Sequence, residues 1–239
     1  YYDLNEGNNY HPDLKNISQL IKEFEGLAEG NRVSGMFVNY PHMPTGQLPE
    51  MEIFEQLISF VKEQEIIIIH DNPYSFILNE NPVSILSVAG AKEVVIELNS
   101  LSKSHNMAGW RVGMLCASKT RIDEVLRFKS NMDSGMFLPV QLAAAKALEL
   151  DETWHRQLNE VYKNRREKVF ELLHLLKCRF DNSQAGMFVW AGVPESCKDG
   201  YTLSDEVLYQ SNVFITPGGI FGSNGDKYVR VSLCATEEK

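Results

Sequence analysis

Cysteine is scarce in this sequence, and its spacing excludes two common uses of the residue. Four cysteines occur among 239 residues, and no two of them form a Cys-x-x-Cys pair. That density is too low for a disulfide scaffold, so we interpret all four as reduced thiols of a cytoplasmic protein. The six histidines are scattered too, without the clustered spacing of a metal site. The sequence therefore predicts no bound metal.

Positive charge and long apolar runs are lacking as well. Lys and Arg number 23 against 32 Asp and Glu, which gives a net charge of −9. This balance argues against nucleic acid or an anionic membrane as a partner, because both attract a positive surface. The most apolar segment, four isoleucines at 66–69, is far shorter than the roughly 20 residues of a membrane span. The first residues, Tyr1-Tyr-Asp-Leu4, lack the basic region of a signal peptide.

The sequence does contain an alternation of helix and strand patterns up to about Ser118. Apolar residues from Met51 to Val61 repeat at helical spacing after Pro49, a residue suited to the first turn of a helix. Residues 65–71 form a β-branched run that is apolar on both faces, as in a central parallel strand. Further strands are predicted at 33–39, 94–98 and 111–117. Such alternation predicts an α/β fold with a mainly parallel sheet.

The pattern changes after Ser118, which predicts a second structural unit. Helices are predicted at 122–129, 140–150, 152–176 and 203–210, and strands at 186–190, 213–216 and 228–233. A long helix followed by a small α+β unit indicates two domains, 1–118 and 119–239. The chain starts without methionine, in a segment that the pattern predicts as a strand. We therefore expect it to be a fragment of a longer protein.

A lysine lies just beyond one of the predicted strands. Lys103 occurs in the segment Ser100-Leu-Ser-Lys-Ser-His-Asn-Met-Ala-Gly-Trp-Arg-Val-Gly113. Ligands of open α/β sheets bind outside the carboxyl ends of the strands, where this amine could act as a nucleophile. The alternative is a solvated loop lysine.

Three more residues carry candidate chemistry. Asp71 ends the isoleucine strand, where a buried carboxylate needs a cationic or hydrogen-bonding partner, and Tyr74 follows after a turn. Arg230 lies in an otherwise apolar strand and offers a planar fork suited to a carboxylate. The alternatives are an aspartate that caps the turn and an exposed arginine at a sheet edge.

An amine, a carboxylate, a phenol and a guanidinium are together the groups that a pyridoxal-phosphate enzyme needs. The amine forms the Schiff base, and the carboxylate keeps the pyridine nitrogen protonated so that the ring acts as an electron sink. The phenol hydrogen-bonds the ring hydroxyl, and the guanidinium holds the substrate carboxylate. The combination therefore predicts pyridoxal 5'-phosphate as the cofactor.

Four segments, in this order, resemble those of the class I/II aminotransferases of the fold-type I pyridoxal-phosphate enzymes, the family of aspartate aminotransferase. They are Asn39-Tyr-Pro-His-Met-Pro-Thr-Gly46, Asp71-Asn-Pro-Tyr74, Ser100 to Gly113, and Thr216-Pro-Gly-Gly-Ile-Phe-Gly222 with Tyr228-Val-Arg230. The resemblance implies the PLP-dependent transferase fold type I. On that basis the chain holds part of a large α/β domain and a small C-terminal α+β domain.

The resemblance also implies a role for each matching residue. Lys103 is expected to form the Schiff base and to carry the proton between the substrate Cα and the cofactor C4′. Asp71 is expected to pair with the pyridine nitrogen and Tyr74 with O3′. Arg230 is expected to bind the substrate α-carboxylate. The residues expected to bind the phosphate are Ser100, Ser102 and Arg111.

One position departs from the family pattern. The family has an asparagine immediately before Pro-Thr-Gly that hydrogen-bonds the ring hydroxyl, and this chain has Met43 there. A thioether is a weak acceptor and no donor, so that contact is expected to be missing. The neighbouring His42 could substitute through its ring nitrogens. Nothing in the chain resembles the family's glycine-containing phosphate loop, which lies upstream in the family.

The resemblance implies an aminotransferase that moves an amino group from an amino acid to a 2-oxo acid, with both sites of a homodimer formed between subunits. Two alternatives remain open from the sequence. Related fold-type I enzymes act as C–S lyases or decarboxylases on the same lysine scaffold. The chain could also be an aminotransferase-like domain of a regulator, although its acidic charge offers that reading no support.

Overall fold

The computed structural model of the chain describes residues 2–236, which form two four-stranded sheets packed with helices. The α-helices are α1 (Leu14–Gly26), α2 (Met51–Glu63), α3 (Leu101–Ser104), α4 (Lys119–Met132), α5 (Leu138–Leu148), α6 (Glu152–Leu175) and α7 (Gly200–Ser211). The strands are β1 (Gly35–Asn39), β2 (Ile67–Asp71), β3 (Val95–Ser100), β4 (Gly113–Cys116), β5 (Arg179–Phe180), β6 (Phe188–Gly192), β7 (Thr216–Pro217) and β8 (Tyr228–Ser232). Short 3-10 turns lie at Glu6–Asn8, Ile85–Ser87, Ala108–Trp110, Gly218–Phe221 and Ser223–Gly225.

The first sheet has the strand order β1-β2-β3-β4, and its first three strands are parallel. Only β4 runs antiparallel, so the predicted mainly parallel sheet is confirmed. The isoleucine strand β2 lies between β1 and β3, as its two apolar faces predict. Phe54 and Leu57 of α2 are fully buried in the same core cluster as Ile68 of β2. The buried face of α2 thus packs against the sheet and holds strand β2, whose last residue is Asp71, in place.

The second sheet has the order β5-β6-β8-β7 and is antiparallel throughout. The long helix α6 contributes Tyr162 and Leu173 to its core, where they share a cluster with Val189 and Val229 of the sheet. The predicted small α+β unit after a long helix is therefore present. The boundary at residue 118 stays a prediction.

Several local expectations were wrong. Residues 2–5 are not in a strand, and Tyr1 lies outside the described residues. The strand expected at 213–216 is reduced to β7, because the carbonyl of Ile215 accepts the Ser204 hydroxyl of α7 rather than a ladder bond. Helix α1 was not anticipated. Its N-cap, Asp13, accepts hydrogen bonds from the backbone N–H groups of the first turn.

In residues 2–236, no helix combines the length and the apolar character that a membrane crossing requires.

Candidate active site

The carboxyl ends of the parallel strands meet at one edge of the first sheet, and predicted site residues lie there. Asn39 ends β1 and stands in register with Asp71, which ends β2. Ser100 ends β3, and Lys103 follows it in α3. Within residues 2–236, neither the Lys103 amine nor the Asp71 carboxylate has a hydrogen bond or ion pair. The fold therefore brings an uncommitted amine and an uncommitted carboxylate to the same edge.

Asp71 has an electrostatic environment of two opposing parts. Its side chain is exposed on one side, yet the surrounding protein desolvates it enough to raise the pKa of the carboxyl group. The charge of the preceding residue, His70, acts in the opposite direction. A ligand that brings a cation to this carboxylate would oppose that rise in pKa and favour the ionised form.

The Asn39 side chain joins two strand ends to the turn that follows β1. Its amide Nδ2 donates to the Asp71 carbonyl at 2.8 Å, and its Oδ1 accepts from the Met43 N–H at 2.7 Å. At the end of the turn, Gly46 has φ +71° and its carbonyl accepts from Ala185 N–H at 2.9 Å. A Cβ at Gly46 would lie 2.8 Å from the Ala185 oxygen. The turn is thus held against both sheets.

The turn also contains Met43, which departs from the family motif, and its neighbour His42. His42 Nδ1 shares a hydrogen bond with Thr45 Oγ1 at 2.8 Å. Burial lowers the pKa of His42 to about 4, so its ring is neutral near neutral pH. One ring nitrogen is therefore committed to the turn itself. Whether the other contacts a cofactor stays a prediction.

Arg230 projects from β8 toward the same turn. Its guanidinium carbon lies 4.1 Å from the Phe188 ring centroid and 4.5 Å from the Phe221 centroid. Nη1 donates to the Met43 sulfur at 3.3 Å, and the buried Nε has no hydrogen-bond partner. Desolvation lowers the pKa of Arg230. A guanidinium that is stacked between two rings and lacks a carboxylate in the described chain is ready to bind one from a ligand.

Tyr74 connects the two sheets at the site. Its ring packs edge-on against Phe188, with centroids 6.1 Å apart. Burial raises the pKa of the Tyr74 phenol, the charge of Asp71 raises it further, and the charge of Arg230 opposes both. The phenol is therefore protonated and able to donate. These couplings place Tyr74 within electrostatic reach of both Asp71 and Arg230.

The expected phosphate-binding residues are grouped along the chain but are partly engaged. The Ser102 N–H donates to Ser100 Oγ at 3.1 Å, which caps α3. Arg111 has φ 54° and is exposed, and its Nη1 donates to the Ala108 carbonyl at 2.9 Å. The strand expected at 111–117 therefore begins only at Gly113, because the left-handed backbone of Arg111 ends the preceding 3-10 turn.

Sequence reasoning missed several residues that shape the site. Phe188 and Phe221 enclose Arg230, and Asn39 joins the strand ends. Asn39 and Phe221 lie within the quoted motifs, whereas Phe188 lies only in a predicted strand. Two fully or nearly buried polar residues, His70 and Glu97, lie directly behind Asp71. Their pairing depends on strand register between residues 27 positions apart, which no local pattern reveals.

The free groups at this site match the chemistry of pyridoxal 5'-phosphate. A carboxylate with a raised pKa suits a pyridine nitrogen that shares its proton, and a protonated phenol suits the ring hydroxyl. The amine of Lys103 has no protein partner in the described residues. The donor set therefore fits the cofactor.

Comparison with known proteins agrees with this chemistry. The family described as aminotransferase class I and II matches residues 1–239. An LL-diaminopimelate aminotransferase of Dehalococcoides mccartyi is 37% identical over 238 residues, which are 99% of this chain and 59% of that protein. Another, from Halothermothrix orenii, is 39% identical over 241 residues, with 99% and 59% coverage.

Solved structures give the same picture. Substrate-bound BacF from Bacillus subtilis superposes with a TM-score of 0.87 at 34% identity, and the match covers 98% of this chain and 58% of that one. An aminotransferase from Staphylococcus aureus gives a TM-score of 0.83 at 29% identity, with coverage of 96% and 59%. The chain spans about 59% of the length of the curated relatives it matches.

Proposed function

The chain belongs to the class I and II aminotransferases, and from this premise we propose that its protein transfers an amino group from an amino acid to a 2-oxo acid with pyridoxal 5'-phosphate. The observation that supports the proposal most directly is the stacked Arg230 guanidinium, which lacks a carboxylate partner among the described residues. A substrate α-carboxylate fits that place. When bound, the cofactor supplies an electron sink for the substrate Cα.

The residues at the edge of the first sheet hold the cofactor ring in this proposal. Lys103 Nζ would hold the cofactor until the substrate amine displaces it, and the freed amine would then carry the proton at the substrate Cα. The Asp71 carboxylate accepts the hydrogen bond of the protonated pyridine nitrogen, and the Tyr74 phenol donates to O3′. The contribution of Lys103 as a proton carrier is general acid–base catalysis.

The phosphate is bound by Ser100, Ser102 and Arg111 in the same proposal. The hydroxyl groups offer donors, and Arg111 offers a charged fork once it leaves the Ala108 carbonyl. The second ring nitrogen of His42 could take the place of the family asparagine at the ring hydroxyl. Met43 instead supports Arg230 through its sulfur.

We further propose that the whole protein is a cytoplasmic homodimer with the domain division at residue 118. The acidic charge and the four free thiols support the cytoplasmic location. The exposure of Asp71 and Arg111 supports a site that a second subunit, or the rest of the protein, completes. Amino acids and 2-oxo acids are its small-molecule partners.

The amino-transfer reaction is tested by a half-reaction on the full-length protein. The cofactor-loaded protein is mixed with one amino acid and no oxo acid, and its absorbance spectrum is recorded. We expect the band of the lysine-bound cofactor to convert to that of the amine form, and addition of a 2-oxo acid to reverse it. LL-diaminopimelate is a first amino acid to test, because relatives carry that name.

The control separates amino transfer from C–S lysis and decarboxylation. Release of pyruvate and ammonia from cysteine without any oxo acid, or of CO₂ from an amino acid, contradicts the proposal. A Lys103→Ala variant should bind the cofactor without the lysine-bound band and should not convert. Retained conversion in that variant would also contradict the role of Lys103.

A further inference from the structure

A polar pair, His70 and Glu97, lies buried next to the edge of the first sheet where the carboxyl ends of its parallel strands meet. The His70 side chain has no exposure to solvent and that of Glu97 is 5% exposed. His70 Nδ1 lies 3.1 Å from Glu97 Oε2, and His70 Nε2 lies 3.1 Å from the Tyr40 carbonyl oxygen. A carbonyl oxygen can only accept a hydrogen bond, so Nε2 must carry a hydrogen.

The surroundings of Glu97 indicate that it is the ionised member of the pair. Its Oε2 accepts from the Ser84 hydroxyl at 2.9 Å and from the Ile85 N–H at 3.2 Å, and its Oε1 accepts from Asn99 Nδ2 at 2.9 Å. Burial alone would raise the pKa of Glu97, but the hydrogen bonds from His70, Asn99 and Ser84 outweigh it and lower the pKa. An ionised carboxylate has no hydrogen to donate, so the His70 Nδ1 that lies 3.1 Å from Glu97 Oε2 must carry one as well.

We propose that His70 and Glu97 form a buried imidazolium–carboxylate pair that positions Asp71 and supports its negative charge. This role rests on the proposed function, because Asp71 is there the partner of the pyridine nitrogen. The pair holds β2 to β3 through Glu97 and to the start of the 40–46 turn through the Tyr40 carbonyl. His70 is thus a positioning residue, which touches neither cofactor nor substrate.

Few other charged or titratable groups face the pair. The ring of Phe54 from α2 lies against His70 at 5.3 Å between centroids, and the phenol of Tyr40 is protonated because burial raises its pKa. On β4, Cys116 stands opposite Glu97 in register, and both burial and the Glu97 charge raise the pKa of its thiol. The remaining charge is that of Asp71 on β2 itself. Two negative groups therefore flank one imidazolium.

The protonation state is measured first, and it does not depend on the cofactor. Histidine ring nitrogens of the full-length protein, labelled with ¹⁵N, are observed by NMR at pH 8, where a free histidine is neutral. We expect both ring nitrogens of His70 to carry hydrogen. A neutral ring with one bare nitrogen overturns the proposal. His70→Gln assigns the signal, and if it does not fold, variants of the other histidines assign it by elimination.

The positioning role is measured with Glu97→Gln, and exposed Glu93→Gln serves as the matched control. The amide keeps the size of the side chain but removes the negative charge. We expect Glu97→Gln to bind the cofactor about tenfold more weakly, as when an outer partner of a ligand is removed. We also expect the His70 ring to become neutral, and Glu93→Gln to behave as the wild type.

The outcomes separate this proposal from the proposed function. An unchanged cofactor affinity in a folded Glu97→Gln protein contradicts the positioning role. If the full-length protein binds no pyridoxal phosphate at all, the proposed function fails, and the NMR spectrum still decides whether the buried pair exists. Should Glu97→Gln not fold, Asn99→Ala removes one support of the carboxylate and should weaken binding in the same direction.

Discussion

At the scale of single residues, the sulfur of Met43 occupies the place where the family has an amide. The sulfur accepts from Arg230 Nη1 at 3.3 Å and cannot donate to the ring hydroxyl of a cofactor. One donor fewer leaves more negative charge on that hydroxyl, which stabilises the protonated form of the lysine-bound cofactor. If the proposed function is right, Met43 would therefore raise the pH at which the cofactor changes its absorbance.

We expect Met43→Asn to lower the pH midpoint of that absorbance transition in the full-length protein. The amide restores a donor and so favours loss of the proton from the lysine-bound cofactor. A spectrophotometric pH titration measures the midpoint. Met136→Asn, at an exposed methionine, is the control and should leave it unmoved. Equal midpoints for Met43→Asn and the wild type would contradict the role of Met43.

The proposed binding of a substrate carboxylate by Arg230 would depend on the shape of its side chain as much as on its charge. Lysine keeps the charge but cannot stack between Phe188 and Phe221 or form a two-pronged contact. A hydrogen bond to a charged group contributes about 1.5–3 kcal/mol, which corresponds to a roughly 10- to 100-fold increase in KM for Arg230→Lys. Steady-state kinetics measure the change.

The matched control is Arg179→Lys in the same sheet. Arg179 has a side chain that is 66% exposed and only a long ion pair with Glu6, at 3.9 Å. We expect its KM to equal that of the wild type. An Arg230→Lys protein that retained the wild-type KM would show that the guanidinium does not bind the substrate.

At the scale of elements, helix α6 packs its buried face against the second sheet and forms part of that core. Leu173 is fully buried on it, whereas Leu175, two residues later, is 81% exposed. Leu173→Ala leaves a cavity and should lower the free energy of unfolding by about 2–5 kcal/mol. Leu175→Ala should change it by less than about 0.5 kcal/mol. Urea unfolding of the two variants compares them, and equal losses would contradict the described packing.

Helices and strands with strong local patterns could be predicted from the sequence. The isoleucine run specified β2, and the uninterrupted pattern from Glu152 specified α6 almost to its last residue. Helix α1 was missed although Leu14, Ile17 and Ile21 follow its inner face and Asp13 caps it. The apolar spacing typical of a helix is present there, but the many charged and polar residues on the outer face of α1 make it weak. The start of β7 depends instead on a hydrogen bond from the Ser204 hydroxyl of α7 to the Ile215 carbonyl, which is not a local property.

At the scale of the whole molecule, the site is assembled by both sheets. Its motifs could be predicted in order, because each lies at a strand end or in a turn whose residue types carry the chemistry. The contacts between them could not. Arg230 and Met43 are 187 positions apart, and His70 and Glu97 meet only through strand register. Such pairs follow from the packing of the sheets rather than from any segment.

Buried histidines give the whole molecule a dependence on pH. Burial lowers the pKa values of four of the six histidines, which are His11, His42, His105 and His155. The unfolded chain then binds protons that the folded chain excludes. Stability should fall as the pH drops below about 6.5, the ordinary value for the unfolded side chain. Carboxylates titrate in part of the same range, so comparison with a variant is needed.

His42 is the sharpest test of this dependence, because its pKa falls to about 4. Between pH 7.5 and pH 5, the unfolded chain takes up a proton at this residue and the folded chain does not. That difference removes about 2 kcal/mol of stability. Urea unfolding at the two pH values should therefore show a smaller loss in His42→Gln than in the wild type. His174→Gln, at an exposed histidine, should retain the wild-type loss. A loss in His42→Gln as large as that of the wild type would mean that His42 is protonated in the folded protein, contrary to its lowered pKa.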